Sequence, residues 1–201
     1  MARPYVQRAR AESAAATQRR MIEAARSVLT SGEVPRLELA EVAERAGIAR
    51  STVYLSFGTR SALMSKILDD SLSRAGFGRL REYLVLPDAV EAMEKSLTQT
   101  AHMYSADHGV LRRMLLLARL DPDVARDYQL RQQRRGAAMR DLAQRLRSQR
   151  RLRAKVSVEA AAAVLWVLTS FDTFDQLFSG WGLDATNCGV RMVMIARSSL
   201  L

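Results

Sequence analysis

The chain has 201 residues and is 48% hydrophobic, enough for a sizeable core and too apolar for global disorder. Against 21 Asp and Glu stand 31 Lys and Arg, and the net charge of +10 favours polyanionic partners. Cys188 is the single cysteine, which excludes an intrachain disulfide and a cysteine-rich metal site. The first 20 residues carry arginines but lack the apolar stretch of a secretory signal. The longest charge-free apolar run, Ala160 to Leu168, has nine residues; a membrane span needs about 20. A cytoplasmic protein with no membrane partner is expected.

Strand patterns are nearly absent and helical periodicity is everywhere, so the expected fold is all-α with about nine helices. The first runs from about Ala14 to Leu29 on the stripe Met21, Ile22, Ala25, Val28 and Leu29, and Thr30-Ser31-Gly32 ends it. Before it, residues 1–13 read as a flexible basic arm carrying Arg3, Arg8 and Arg10. Short helices follow at about Leu39–Ala46, Arg50–Phe57 and Thr59–Arg74, and Ala75-Gly76-Phe77-Gly78 breaks the last of these. Longer ones cover about Asp88–Tyr104, Gly109–Arg119, Pro122–Gln149, Val158–Phe178 and Ala185–Leu200.

Residues 37–63 hold the most information. Leu39, Val42, Ala43 and Ala46 mark one face of a short helix, which Gly47 stops. A second short helix begins at once and turns Val53 and Phe57 inward, four residues apart. Two short helices around a tight glycine turn describe a helix-turn-helix, whose second helix enters the major groove. The outward residues suit that task. Arg50 can donate twice to guanine, Ser51, Thr52 and Ser56 can bond bases or phosphate, and Leu55 can touch a thymine methyl.

Three runs in order, Val42-Ala43-Glu44-Arg45-Ala46-Gly47-Ile48, Ser51-Thr52-Val53-Tyr54-Leu55-Ser56-Phe57 and Arg60-Ser61-Ala62-Leu63, resemble the signature of the TetR family of transcription regulators. The resemblance implies a three-helix DNA-binding domain at residues 1–60 and a helical ligand-binding and dimerisation domain at residues 61–201. It implies base-facing roles for Arg50, Ser51, Thr52 and Leu55, phosphate contact by Tyr54 with Ser56 beside it, and a phosphate grip by Arg60 at the start of the fourth helix. Three positions depart from the pattern, one of them Ser51, which stands where glycine or proline is frequent. Leu37-Glu38-Leu39 lacks the usual capping hydroxyl, and Ala49 replaces a capping serine, which weakens the recognition helix by about 1 kcal/mol.

The remainder resembles the family's variable C-terminal domain in architecture. Closing helices of this kind form a four-helix bundle across a two-fold axis, which implies dimer contacts from Val164, Leu168, Phe171, Val190, Val193, Met194 and Arg197. A ligand pocket is expected among the middle helices, lined by Met93, Leu97, Tyr104, Leu111, Met114, Leu115, Trp166 and Phe174, because methionines and aromatics make adaptable apolar walls. Asp172 and Asp175 are expected at the surface, or paired with Arg191 or Arg197, or orienting a ligand. The stretch 131–155 holds ten Lys and Arg and one acid, Asp141, whereas residues 1–75 hold 12 basic and 8 acidic groups. The basic charge is therefore not concentrated on the reading head, and the stretch reads as a solvated face.

No phosphate loop, nucleophile elbow or metal motif is present, and His102 and His108 are not spaced for one helical face, so neither an enzyme nor a cofactor is expected. The expected function is a repressor that binds a palindromic operator as a homodimer and is released by a small hydrophobic or amphipathic ligand. The alternative is a helical adaptor that binds anionic membranes or protein partners through its basic face.

Overall fold

The computed structural model describes residues 3–32 and 36–201, with side chains from residue 12 onward. Among them are eleven α-helices, one π-helical turn and no strand. They are α1 (Arg3–Thr30), α2 (Leu39–Ala46), α3 (Arg50–Phe57), α4 (Arg60–Arg74), α5 (Phe77–Leu84), α6 (Ala89–Ala106), α7 (His108–Leu120), α8 (Pro122–Ser148), α9 (Val158–Leu168), α10 (Phe171–Asp175) and α11 (Ala185–Leu200); the π turn is Gln176–Gly180.

Three elements differ from the sequence expectation. First, α1 begins at Arg3 rather than near Ala14. The segment read as a flexible arm is rich in alanine, the best helix former. Second, the glycine-rich break expected at residues 75–78 is only two residues long, Ala75 and Gly76. Gly76 takes φ 89° and a helix, α5, restarts at Phe77. Third, the helix expected over Val158–Phe178 breaks at Thr169, and the Ser170 hydroxyl caps a new one by accepting from the Thr173 N–H.

The helices form two compact units: Met1–Asp70 with Gly109–Asp127, and Ser71–His108 with Tyr128–Leu201. In the first, α2 packs on α1 and α3 on α2. Its core includes Met21, Ala25, Val28, Leu29, Leu37, Val42, Ala43, Val53, Leu63 and Ile67. In the second, α11 lies on α6 and α9. The α6–α11 approach is close enough that a Cβ on Gly189 would sit 3.2 Å from the Thr98 Cα.

The break after α9 exposes carbonyls inside the second unit, and side chains satisfy them. Tyr104 donates its hydroxyl to the Thr169 carbonyl at 3.0 Å. Arg135 donates to the Trp166 carbonyl and to the Thr169 hydroxyl. The Thr173 hydroxyl donates to the Val167 carbonyl at 2.7 Å. Tyr104 also packs edge-on against Phe171 and tilted against Phe174, part of a cluster that takes in His108 and Phe178. Burial pushes the Tyr104 phenol up to about 12, against the opposing pull of Arg135.

This shift has a pH consequence. Above the ordinary tyrosine value of 10.0 the unfolded phenol ionises while the folded one stays neutral until about 12. The contribution to stability is therefore complete below about pH 10 and is lost as pH rises through about 12. Tyr104→Phe should cost about 1 kcal/mol at neutral pH through the unmet Thr169 carbonyl. It should also flatten the fall in stability across that alkaline window. Urea unfolding of both proteins at several pH values checks this, and parallel curves would contradict it.

Candidate nucleic-acid interface

Glycine 47 sets the geometry of the reading head. It adopts φ 61°, ψ 42° at the end of α2. Its N–H bonds the Glu44 carbonyl at 3.0 Å and the Ile48 N–H bonds the Ala43 carbonyl at 3.0 Å, a Schellman closure. Arg20 on α1 reaches across to the Ala46 carbonyl at 2.6 Å. Arg45 reaches back to the Ser27 hydroxyl at 3.0 Å. The Ala43, Glu44 and Ala46 carbonyls at the end of α2 are thus satisfied before α3 begins.

Helix α3 is eight residues long and lacks a side-chain cap at Ala49. Its two buried residues are Val53 and Phe57. The opposite side is open: Arg50, Ser51, Tyr54, Leu55 and Ser56 are exposed and Thr52 is half-buried. Leu55 is 88% exposed. The Ser56 hydroxyl donates to the Thr52 carbonyl at 2.7 Å, so it offers only its acceptor lone pairs outward. The six sequence candidates on α3 are therefore gathered on one short helix, five of them exposed.

The seventh, Arg60, stands at the first position of α4. Its guanidinium pairs with Asp121 at 3.0 Å and lies 3.8 Å from Glu38. Neither acid was singled out from the sequence. An Asp-Pro start to a helix is visible at Asp121-Pro122, but its pairing with a residue 61 positions away is not. Further contacts bind the same region: Ser61 and Ser65 donate to Asp127, and Arg113 donates to the Gly32 carbonyl.

The pocket candidates are divided between the two units. Met93, Leu97 and Phe174 are buried core of the second unit, where Tyr104 makes the contacts described above. Leu111 and Met114 are buried and Leu115 half-buried on α7, and they belong to the first unit. Trp166 is 42% exposed, with the Arg135 guanidinium over its ring at 4.7 Å. Its ring lies at the surface of α9.

The dimer candidates divide. Leu168 and Phe171 are buried inside the second unit, so they are core rather than surface. Val164 and Val193 are half-buried, while Val190, Met194 and Arg197 are exposed. Arg197 pairs with Glu94 rather than with Asp172 or Asp175. Asp175 instead bonds His108 at 2.6 Å and accepts from Ser179 at 2.7 Å. Sequence reading missed Val167 and Ile195, exposed apolar residues on α9 and α11, and Trp181, which is 81% exposed. Alternation of charge along these helices is too weak to tell their outer face from their inner one.

The basic stretch is not simply a solvated face. Arg135, Arg145 and Arg147 donate to backbone carbonyls at Trp166, Leu84, Leu86 and Val156, and Arg151 pairs with Asp88 at 3.3 Å. Among the described residues no group of three or more His, Cys, Asp or Glu could hold a metal, and no helix is long and apolar enough to cross a membrane.

Comparison with known proteins places this geometry. Residues 21–67, spanning the last third of α1 through the first half of α4, match the family described as bacterial regulatory proteins, tetR family. An uncharacterised HTH-type transcriptional regulator of Mycobacterium bovis is 31% identical over 108 residues. That match covers 50% of this chain and 55% of the relative, so the chain spans about half the length of the curated protein it resembles. NalD, the secondary repressor of the MexAB-OprM multidrug efflux pump in Pseudomonas aeruginosa, shares the fold with a TM-score of 0.72 at 18% identity, over 94% of this chain and 98% of that one. The transcriptional regulator FadR of Bacillus subtilis, solved with stearoyl-CoA, does so with a TM-score of 0.66 at 12% identity, over 90% and 98%. Residues 21–67 thus match the helix-turn-helix region of the tetR family of bacterial regulatory proteins, and the all-helical fold around them is shared with NalD and FadR along at least nine-tenths of the chain.

Proposed function

We propose that the protein represses transcription in the cytoplasm by binding a palindromic operator as a homodimer, and that a small hydrophobic or amphipathic ligand releases it. In this reading residues 1–60 read DNA and residues 61–201 dimerise and sense the ligand. The observation that carries it is the exposed row Arg50, Ser51, Tyr54, Leu55 and Ser56 on a helix whose other side is anchored by Val53 and Phe57. Arg50 donates to a guanine edge, Leu55 meets a thymine methyl, Thr52 bonds a base or phosphate, and Ser56, its proton held by the Thr52 carbonyl, accepts from a base amine. Tyr54 gives its hydroxyl to a phosphate, which fixes register without reading sequence.

Two reading heads follow from palindromic recognition. The apolar surface needed to join them is available on α9 and α11, which pack together and leave Val167, Val190, Met194 and Ile195 exposed. Exposed apolar side chains grouped on two packed helices suit an interface. Ligand control has support from the fold relative in Bacillus subtilis, which was solved with stearoyl-CoA. Helix α4 begins at Arg60, so a shift of α4 moves a proposed DNA contact. A ligand that prefers the misplaced arrangement by about 1–3 kcal/mol weakens DNA binding roughly 5–150-fold, and DNA weakens the ligand by the same factor.

Arg50→Ala should cost about 1–3 kcal/mol of specific affinity and relax preference at one base position, whereas Tyr54→Phe should weaken all sequences alike. Titrations at fixed salt check both, and unchanged affinity in both variants would falsify the assignment. Met194→Glu places a charge on the exposed α11 face without touching the core. It should give monomer and lose operator affinity, and light scattering that finds the variant dimeric at micromolar concentration contradicts the interface.

A further inference from the structure

The residue expected to grip phosphate is already gripped by acids. Arg60 meets Asp121 at 3.0 Å and lies 3.8 Å from Glu38; Asp121 is largely enclosed, at 17% exposure, while Glu38 is 58% exposed. Asp121 is held in place by its own helix. It occupies the single-residue link between α7 and α8, and its Oδ1 accepts the Asp123 N–H at 3.0 Å and the Val124 N–H at 3.3 Å. That leaves Oδ2 for Arg60. Nearly two turns further along α8, Asp127 takes the hydroxyls of Ser61 and Ser65, so the first two turns of α4 are stitched to the start of α8. All of these groups lie in the same compact unit.

A fixed carboxylate here does two things to a phosphate contact. It neutralises the guanidinium charge that would otherwise replace a DNA counterion. It also sets a negative charge beside the place a phosphate must occupy. Glu38 adds to both effects more weakly, because it is more exposed and better screened.

We propose that Asp121 is an electrostatic brake on DNA binding: it competes with backbone phosphate for Arg60 and so holds operator affinity below what the reading head can reach. The inference rests on the DNA-binding reading above and assigns Asp121 a role that no base or phosphate contact would reveal. It also locates a control point. Asp121 sits at the start of α8, so any change that draws this corner away from α4 frees Arg60 for DNA, and any change that presses it closer withholds it.

The test uses the full chain and a duplex selected from a random DNA pool. Asp121→Asn removes the charge but keeps an Oδ1 acceptor, and asparagine caps helices as well as aspartate does. Asp121→Ser serves as a second capping-competent variant. Each should bind the duplex about two- to fivefold more tightly than the wild type at low salt. Each should also steepen the dependence of log K on log salt by up to about 0.9, one phosphate contact. Both effects should vanish when Arg60→Ala is added, since the brake acts only through Arg60. Binding by D121N equal to or weaker than wild type, or a gain that survives in the R60A background, overturns the proposal. Whether the wild type prefers its selected duplex over random DNA is scored separately, so failure of the DNA-binding reading is told apart from failure of the brake.

Discussion

An eight-residue helix without a cap has no stability of its own in water. Helix α3 exists because Val53 and Phe57 pin it to the core of the first unit and because Gly47 delivers the chain to it at a fixed angle. Everything proposed for this protein depends on that anchoring. The residues free to face DNA are those left over once Val53 and Phe57 are buried, so the reading surface is defined by the packing surface. Removing the inward methyl groups of Val53 would disorder the outward row as surely as mutating it.

Helix starts are satisfied differently along the chain. In the second unit the starts of α6, α9, α10 and α11 are capped by Asp88, Ser157, Ser170 and Asp184. Its stray carbonyls are met by Tyr104, Arg135, Arg145 and Arg147. In the reading head neither Glu38 nor Ala49 caps the helix that follows it. A capped start would spend its side chain on the protein's own N–H groups. An open one keeps the positive end of the helix dipole available for phosphate. The cost in local stability falls on the part of the chain that gains most from a polyanion.

The helix-turn-helix was legible because it is local. Gly47, the inward pair Val53 and Phe57 and the exposed Arg50, Tyr54 and Leu55 all lie within one short window, and periodicity alone separates the two faces. The break at Thr169-Ser170 was missed because apolar spacing continues through it, and only the capping serine, accepting from Thr173, betrays it. Trp166 read as pocket wall because an aromatic on an apolar helix looks inward from sequence; Arg135 shields its face and lets it stay outside. Leu168 and Phe171 were expected at a dimer seam for the same reason and are core, since every side of such a helix is apolar. The Arg60–Asp121 pair joins residues far apart in the chain, and no pattern in either neighbourhood points to the other.

The central claim is that this fold presents two copies of α3 to one palindromic duplex. The direct measurement is selection of bound sequences from a random DNA pool, followed by determination of how many chains occupy the selected duplex. The account predicts an inverted repeat bound by two chains, or a multiple of two, at least about a thousandfold more tightly than unrelated DNA at the same salt. Enrichment of no sequence, with binding that depends on salt alone, would contradict it.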